Sequence, residues 1–355
     1  MMSDAPDAYD FFIVGQGLAG TLIAHFLEER GQQVCVWDAG SDGSASQVAA
    51  GLINPVTGRR YVKSWRIDDL LPVARTTYRR LEQKLGLSLI RERNILRALF
   101  SRKDENDWWA RSADPAYRKY LVEQPDLGAY RDAVVPAHNY GEVTHSLQID
   151  LPKLLLGYRN YLRERNQFRE ARFDYKQIKM GDGGVLAANV RAKCLVFCEG
   201  YGLKHNPYFN HLPLSGMKGE ALTARLEGFH PEKILKQRLF LVPLEEELFW
   251  IGATYDRHFS DARPTEAGRI YLENRLRKLI TMPFRIVGHQ AAVRPTVRDR
   301  RPLLGRHPEF PRLVVFNGLG TKGASLGPFW AKHLVNHLLE GMKLDEEVDL
   351  SRYSA

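Results

Sequence analysis

The sequence has few cysteines and no long apolar run. Its 355 residues include three cysteines, Cys35, Cys194 and Cys198, and no C-x-x-C pair. This number and spacing argue against a disulfide framework and a zinc site, so we expect reduced structural thiols and no bound metal. No stretch approaches the roughly 18 apolar residues of a membrane span, and residues 1–9 do not form a basic and then apolar leader. We therefore expect a cytoplasmic protein with no membrane span.

The charge balance is positive, in an otherwise ordinary globular composition. Hydrophobic residues make up 44% and charged residues 26% of the chain, which suffices for a core without disulfides. Lysine and arginine number 51 against 42 aspartates and glutamates, giving a net charge of +9. Such a surface favours anionic partners, such as nucleic acid or acidic metabolites, but it is also the ordinary solvated surface of an arginine-rich protein. The length is compatible with two domains, and no feature indicates an oligomeric state.

A dinucleotide-binding pattern opens the chain. The apolar run Asp10–Val14 predicts a strand, and the glycines of a G-x-G-x-x-G turn, Gly15, Gly17 and Gly20, follow it directly. A helical pattern comes next, and a second apolar run ends in Asp38, 18 residues after the third glycine. A strand, a glycine turn, a helix and an acid at about this distance make up the full fingerprint.

Each residue of this pattern has its own physical role. Gly15 permits the tight turn, Gly17 lets the backbone approach a pyrophosphate, and Gly20 lets the helix pack on the strand. The helix amino terminus offers free N–H groups and the positive end of a dipole to the phosphates. Asp38 would accept hydrogen bonds from ribose hydroxyls. We therefore predict that this segment binds a dinucleotide, which the pattern alone does not identify as NAD or FAD.

Four blocks of the sequence resemble the D-amino-acid oxidase superfamily. They are the opening pattern through Asp38, the loop 46–55, the segment 195–200 and the run 288–341. This superfamily of flavoproteins includes glycine oxidase, sarcosine oxidase and the oxidase domain of the bifunctional tRNA wobble-uridine enzyme (MnmC). The resemblance implies an α/β fold, with a Rossmann-like FAD-binding domain of the glutathione-reductase type and a second α+β domain built on an antiparallel sheet.

The resemblance also implies a discontinuous domain arrangement. The FAD-binding domain is expected over 1–85, 148–212 and 286–355, and the substrate domain over 86–147 and 213–285. Periodicity adds helices and strands, with 46–65 lacking a clear period. The predicted helices are Asp68–Leu85, ended by Gly86, and Leu151–Arg165; the predicted strands are Leu239–Val242 and Leu248–Thr254.

The carboxy-terminal block is the most specific part of the resemblance. Val293-Arg294-Pro295-Thr296 is similar to the family's arginine-proline pattern, and a glycine-rich loop, 317–323, leads to a helix expected from Pro328 to Gly341. In the family this loop passes the flavin, and the helix points its amino terminus at the pyrimidine end. Loop N–H groups and a helix dipole there would stabilise the negative charge of the reduced ring.

The resemblance implies non-covalent FAD, because 290–293 offer no cysteine where sarcosine oxidases attach the cofactor. The residues that it places at the cofactor are Gly15, Gly17, Leu18, Ala19, Gly20, Asp38, Ala39, Ser46, Ala50, Gly51, Leu52, Ile178, Glu199, Gly200, Arg294, Gly318, Gly320, Thr321, Lys322 and Gly323.

Two cations are the candidate catalytic residues. Arg294 matches the arginine that grips a substrate carboxylate with two parallel hydrogen bonds, although it could instead pair with Asp299 or with a backbone carbonyl. Lys322 lies in the loop expected at the flavin, where a cation would assist the reduced ring or oxygen. Glycine oxidase-like proteins carry a different residue there, so no family role transfers to this lysine.

Arg59, Lys63 and Trp250 are the further candidates for substrate contact, together with Arg294. Arg59 and Lys63 belong to a basic cluster that is compatible with an anionic substrate or with a solvated face. Trp250 stands where sarcosine oxidases place an oxygen-activating lysine, which leaves the electron acceptor open.

The activity implied by the resemblance is oxidation of the C–N bond of an amino acid or secondary amine. Hydride passes to flavin N5, and water then hydrolyses the imine. The first alternative is a tRNA wobble-uridine oxidase acting on a carboxymethylaminomethyl group, which the positive charge would suit. The second is a non-catalytic flavin subunit of a multi-component amine dehydrogenase. The sequence names neither the substrate side chain nor its chirality.

Overall fold

Two large sheets organise the chain. The computed structural model describes residues 7–40, 43–181 and 183–353. The helices are α1 (Leu18–Glu29), α2 (Ala45–Val48), α3 (Ile67–Leu85), α4 (Arg102–Ala113), α5 (Tyr130–Ala133), α6 (Leu151–Glu164), α7 (Glu266–Arg277) and α8 (Gly323–Glu340), with 3-10 turns at Tyr175–Gln177, Gly200–His205 and Leu350–Tyr353. No described helix is both long and apolar enough to cross a bilayer.

Most strands are short. In chain order they are β1 (Asp7–Val14), β2 (Val34–Asp38), β3 (Leu52–Ile53), β4 (Val56–Thr57), β5 (Val62–Lys63), β6 (Ile90–Glu92), β7 (Ile95–Leu99), β8 (Leu121–Val122), β9 (Asn139–Val143), β10 (Leu147–Ile149), β11 (Phe168–Glu170), β12 (Lys179–Gly181), β13 (Gly184–Ala187), β14 (Val190–Phe197), β15 (Leu214–Arg225), β16 (Ile234–Lys236), β17 (Phe240–Pro243), β18 (Leu248–Gly252), β19 (Arg285–Val297), β20 (Leu303–Arg306) and β21 (Leu313–Asn317).

The first sheet has a parallel centre of Rossmann type. Strands β11, β2, β1, β14 and β21 lie side by side in parallel, with β20 antiparallel to β21 and the hairpin β12–β13 on the first half of β14. The strand ends carrying Val14 and Asp38 therefore lie next to each other, at the edge where nucleotides bind in such sheets. The expected Rossmann-like arrangement is confirmed.

The second sheet is mostly antiparallel, in the order β19-β15-β18-β17-β16-β7-β9-β8. Only β16 and β7 run parallel. The expected α+β arrangement on an antiparallel sheet is confirmed. Strand β19 begins at the expected domain boundary near 286. It pairs with β15 along its length, from Arg285 opposite Arg225 to Val297 opposite Leu214.

Alternation along these strands separates two faces. In β7, Ile95 and Leu99 belong to the large core that also contains α1, α3 and α8, whereas Leu96 and Ala98 pack under α7. Since successive side chains of a strand point to opposite faces, Arg97 lies on the face directed towards the first sheet and its helices. This face of the second sheet forms the floor of the candidate site.

The predicted helices over 68–85 and 151–165 are confirmed within one residue, and Gly86 ends the first in a left-handed conformation. The strand expected over 248–254 ends two residues earlier, at Gly252.

The last helix, α8, begins at Gly323 instead of near Pro328, so that expectation was wrong. Pro328 lacks the N–H that would bond to the carbonyl of Ala324 four residues before it. The buried Tyr78 hydroxyl donates to that carbonyl at 2.9 Å instead. A tertiary contact therefore replaces the missing helical hydrogen bond and lets the helix start before its proline.

Candidate active site

The turn between β1 and α1 is tightly packed, as in phosphate-binding glycine turns. Gly15 has φ +98, and a Cβ there would lie 2.5 Å from the carbonyl oxygen of Cys198. A Cβ on Gly20 would overlap the carbonyl oxygen of Gly15, which explains why the first turn of the helix packs so closely on the strand. Gly17 is the N-cap of α1 and supplies no side chain to its free N–H groups. The Ser46 Oγ accepts a hydrogen bond from Leu18 N at 3.1 Å.

Asp38 is held at the end of β2 with both carboxylate oxygens oriented. Its Oδ2 accepts from Gln16 N at 2.7 Å, and its Oδ1 accepts from Gly40 N at 2.9 Å. Arg159 Nη2 lies 3.3 Å from Oδ1, and Arg159 Nε donates to Gln16 Oε1 at 2.8 Å. A carboxylate has about four acceptor positions, so this arrangement fixes the group and leaves acceptor capacity for ribose hydroxyls.

Glu199 is the buried acid beyond β14. Tyr175 Oη donates to it at 2.5 Å and Asn206 Nδ2 at 2.8 Å. Burial raises the pKa of the Glu199 carboxyl, and these two hydrogen bonds oppose the rise. Ile178 follows the 3-10 turn that carries Tyr175. Both side chains pack against the hydrophobic core that contains Phe197. Protein groups therefore occupy both carboxylate oxygens of Glu199.

The glycine-rich loop 317–323 lies beside this acid. Asn317 Nδ2 donates to the carbonyl of Gly200 at 3.0 Å, and Gly320 N donates to the carbonyl of Pro295 at 3.0 Å. Thr321 and the N-cap Lys322 then lead into α8, whose first turn has no side-chain cap from Lys322. The loop is thus tied to both the first sheet and the arginine-bearing strand β19.

The residues present fit FAD. The helices α1 and α8 lie against each other, since a Cβ on Gly327 would be 2.6 Å from Leu22 Cδ1. Neither helix has its amino terminus capped by its own N-cap side chain. Two adjacent helix amino termini without an N-cap side chain favour negative charge, which both a pyrophosphate and a reduced flavin ring supply. The remaining residues expected at the cofactor lie in the same loops: Ala39 follows Asp38, Ala50, Gly51 and Leu52 follow α2, and Gly318 and Gly323 flank the carboxy-terminal turn.

Arg294 lies on β19 with its guanidinium over the backbone of β15. A Cβ on Gly219 would overlap that guanidinium. Arg294 Nη1 reaches the carbonyl oxygens of Thr254 at 3.3 Å and Lys218 at 3.5 Å, and the Tyr255 ring lies 4.8 Å from Cζ. Burial lowers the pKa of Arg294. Within the described parts of the chain, no carboxylate forms an ion pair with it.

The alternative pairing of Arg294 with Asp299 is not present. Asp299 accepts instead from Arg352 Nε at 3.0 Å and from Tyr353 Oη at 2.6 Å. The contacts of Arg294 with backbone carbonyls are long and leave the outer guanidinium N–H groups for another acceptor.

Lys322 is a second half-buried cation. Its Nζ lies 3.1 Å from Ser64 Oγ and 3.5 Å from Thr57 Oγ1, on the short hairpin β4–β5. Burial is the main reason for its lowered pKa, and Arg300 and Arg301 lower it further. No described aspartate or glutamate pairs with it.

The three remaining candidates lie in different environments. Arg59 is exposed at the tip of the hairpin β4–β5. Lys63 is held by Asp68, whose Oδ2 is 2.6 Å from its Nζ. Trp250 Nε1 donates to the carbonyl of Val48 at 2.9 Å, and its ring lies over Gly252, where a Cβ would be 2.7 Å from Cη2. Trp250 therefore joins the second sheet to the loop after α2.

Sequence reasoning missed several residues of the site. Arg159 contacts the Asp38 carboxylate across 121 residues of chain and the Gln16 side chain across 143, and no local pattern indicates such contacts. Among the described residues, no group of three His, Cys, Asp or Glu side chains is arranged to hold a metal ion.

Comparisons with known proteins agree with this arrangement. Residues 10–337 match the family model described as "DAO: FAD dependent oxidoreductase". A glycine oxidase of Bacillus licheniformis is 24% identical over 93% of each chain. The crystal structure of glycine oxidase from Geobacillus kaustophilus superposes with a TM-score of 0.80 at 20% identity over 98% of each chain. That of iminodiacetate oxidase from Chelativorans sp. BNC1 gives 0.78 at 21% identity, over 97% of this chain and 98% of that one.

Proposed function

The chain belongs to the DAO family of FAD-dependent oxidoreductases, and from this we propose that it oxidises the C–N bond of an amino acid or secondary amine. The observation that carries the proposal is Arg294. It is a half-buried guanidinium without a carboxylate partner among the described residues, and the carbonyl of the next residue, Pro295, accepts a hydrogen bond from the glycine-rich loop. Among the similar proteins, a glycine oxidase and an iminodiacetate oxidase have names that agree with this proposal.

Substrate binding would rest on Arg294. Its planar guanidinium is suited to a carboxylate, with two parallel charge-assisted hydrogen bonds. Gly219 beneath it and the Tyr255 ring beside it limit the positions that the guanidinium can take. A carboxylate held there would orient the adjacent amine-bearing carbon and shield it from bulk water.

The cofactor site would be formed by the β1–α1 turn, Asp38 and the loop 317–323. When bound, FAD supplies an acceptor for a hydride. The amino termini of α1 and α8, which lack N-cap side chains, would favour the negative charges of the pyrophosphate and of the reduced ring. Lys322, at the amino terminus of α8, would add a positive charge near that end of the site, held in place by Ser64 and Thr57.

Anaerobic bleaching of the bound flavin tests the proposal. The purified protein would be mixed with glycine, sarcosine, proline, D- and L-amino acids and dicarboxylic amines, and its visible absorbance followed. We expect one class of amine to bleach the flavin, and later admission of air then separates an oxidase from a dehydrogenase. A flavin that no amine reduces would overturn the proposal and favour a non-catalytic flavin subunit.

A tRNA substrate is the second candidate, and one observation favours it. Arg59 and Arg60 project from the hairpin tip and are both exposed, which suits contact with a phosphate backbone. Carboxymethylaminomethyl-bearing tRNA belongs in the same bleaching assay, with unmodified tRNA as its control. Bleaching by the modified tRNA alone, lost at high salt and in Arg59→Ala, would establish this candidate in place of the small amine.

A further inference from the structure

Arg97 and Lys236 are two half-buried cations on the face of the second sheet that is directed towards the first sheet. They are direct partners in the parallel pairing of β7 with β16. The alternation of both strands puts them on one face, because Ile95 and Ile234 belong to the large core that lies on that side. Like charges this close repel each other, so an adjacent, half-buried pair needs an explanation.

Protein groups satisfy this pair only in part. Arg97 Nη2 donates to the carbonyl of Gly58 at 3.4 Å and Cζ lies 5.6 Å from the Tyr61 ring, but its buried Nε has no hydrogen-bond partner. Lys236 Nζ lies over the Phe240 ring at 4.3 Å. In the described ranges no aspartate or glutamate forms an ion pair with either residue, and burial lowers the pKa of both.

Strand pairing aligns Lys236 with Gly252, which lies near the residues that Arg294 contacts. Lys236 is opposite Phe240, and Phe240 is opposite Gly252, over which the Trp250 ring lies. Two strand spacings, about 10 Å, separate Lys236 from Gly252. Arg294 reaches the carbonyl of Thr254, two residues further along. Those two residues add about 7 Å along the chain, so Lys236 and the carbonyl that Arg294 contacts lie roughly 12 Å apart, with the Phe240 and Trp250 rings between them.

We propose that Arg97 and Lys236 form a distal anion subsite, which holds the second carboxylate of a dicarboxylic amine whose first carboxylate Arg294 binds. This inference rests on the proposed function for the role of Arg294, but not for the existence of the subsite. A short diacid fits the separation, because its two carboxyl groups and a hydrogen bond at each end span about that distance. Phe240 and the Trp250 ring would contact the carbon chain between them.

Calorimetry with unreactive acids tests the subsite without turnover. Glutarate and butyrate have similar lengths and differ in the second carboxylate. We expect glutarate to bind the FAD-loaded protein at least about tenfold more tightly than butyrate, the effect of one charge-assisted contact. Lys236→Met should remove this preference and leave butyrate affinity unchanged, whereas Lys236→Arg should retain it.

The control removes the same charge from the opposite side of the sheet. Lys278 follows α7, which packs on the other face, and it is exposed. Lys278→Met should bind both acids as the unmodified protein does. Equal affinity for glutarate and butyrate, or a preference that survives Lys236→Met, would overturn the subsite.

Flavin bleaching then separates the two proposals. Glutamate against glutamine, and iminodiacetate against sarcosine, are matched pairs with and without the second carboxylate. The subsite is supported if each diacid reaches half-maximal bleaching at a lower concentration than its matched monoacid, and if Lys236→Met removes this difference. Bleaching by amines without any diacid preference retains the function and rejects the subsite. Tight glutarate binding without bleaching by any amine rejects the function and retains the subsite.

Discussion

The guanidinium of Arg294 occupies the space that a side chain at position 219 would fill. A Cβ on Gly219 would overlap Nη1, Nη2 and Cζ of Arg294. The two residues lie on neighbouring antiparallel strands, with Gly219 opposite Ala292 in the register that sets Arg294 opposite Met217. A glycine on one strand therefore determines where the cation of the next strand lies.

Replacing this glycine should displace the cation. In Gly219→Ala the new methyl group forces the guanidinium away from its position, so we expect KM for a carboxylate-bearing amine to rise about tenfold with little change in flavin content. Steady-state kinetics and the ratio of visible to ultraviolet absorbance measure the two effects. Gly202→Ala is the matched control, because a Cβ there meets only Glu199 Cβ at an ordinary 3.8 Å. An unchanged KM in Gly219→Ala would contradict the role of this contact.

Removing the cation itself should have a larger effect. Arg294→Ala loses both charge-assisted hydrogen bonds to the substrate carboxylate, so KM should rise about 100-fold, or roughly 3 kcal/mol. Arg294→Lys keeps the charge without the planar pair of donors, so its KM should lie between those of the unmodified protein and of Arg294→Ala. Bleaching at saturating substrate should change less than KM. A KM that does not change in Arg294→Ala would exclude Arg294 as the carboxylate anchor.

Cofactor retention should depend on the close packing of the first turn. In Gly20→Ala, the Cβ would overlap the carbonyl oxygen of Gly15, so α1 must move away from the strand and from the phosphates. We expect the variant to purify largely without visible flavin absorbance and to regain little of it with added FAD. Circular dichroism establishes that it remains folded. A yellow, fully loaded Gly20→Ala protein would disprove this account of the turn.

The contact between Tyr78 and Ala324 should stabilise the protein. Tyr78→Phe leaves the buried carbonyl of Ala324 without a donor, which typically costs about 1–3 kcal/mol of unfolding free energy. In Pro328→Ala the helix can supply its own N–H to that carbonyl, so the same tyrosine substitution should cost less there. Urea unfolding of the four proteins in this double-mutant cycle measures the difference. Strict additivity would show that the hydroxyl does not compensate for the proline.

The half-buried lysine of the distal pair should make stability depend on pH. Burial, and to a smaller extent the charge of Arg97, lower the pKa of Lys236 from an ordinary 10.5 to about 8. The unfolded chain then holds the extra proton between these two values, so the unfolding free energy rises as pH increases from about 8 towards 10.5. Below about pH 8, Lys236 is charged in the folded protein, and this lowers the unfolding free energy by about 3 kcal/mol.

Lys236→Met should therefore be more stable than the unmodified protein at neutral pH and should lack this rise. Urea unfolding at several pH values, compared between the two proteins, isolates the contribution of the lysine from that of other groups. Parallel pH profiles would mean that Lys236 is not held in a charged, desolvated state.

The sequence by itself determined the local structure and the family. The glycine spacing after Val14, the acid at Asp38 and the Arg294-Pro295 pair are short-range patterns, and each sets a turn, a strand end or a loop through its own backbone chemistry. The opening pattern indicated the nucleotide-binding edge of the first sheet, periodicity indicated the helix that ends at Gly86, and the family resemblance implied the antiparallel second sheet.

Only the tertiary structure decided which side chains share the site. Strand register brings Lys236 beside Arg97 across 139 residues of chain, and Gly219 beneath Arg294 across 75. A one-residue shift in either pairing would turn these side chains to the opposite face. In the first turns of α8, likewise, a hydroxyl from α3 donates to the carbonyl that Pro328 leaves without a helical donor. Contacts of this kind arise from packing between distant segments, which no local pattern encodes.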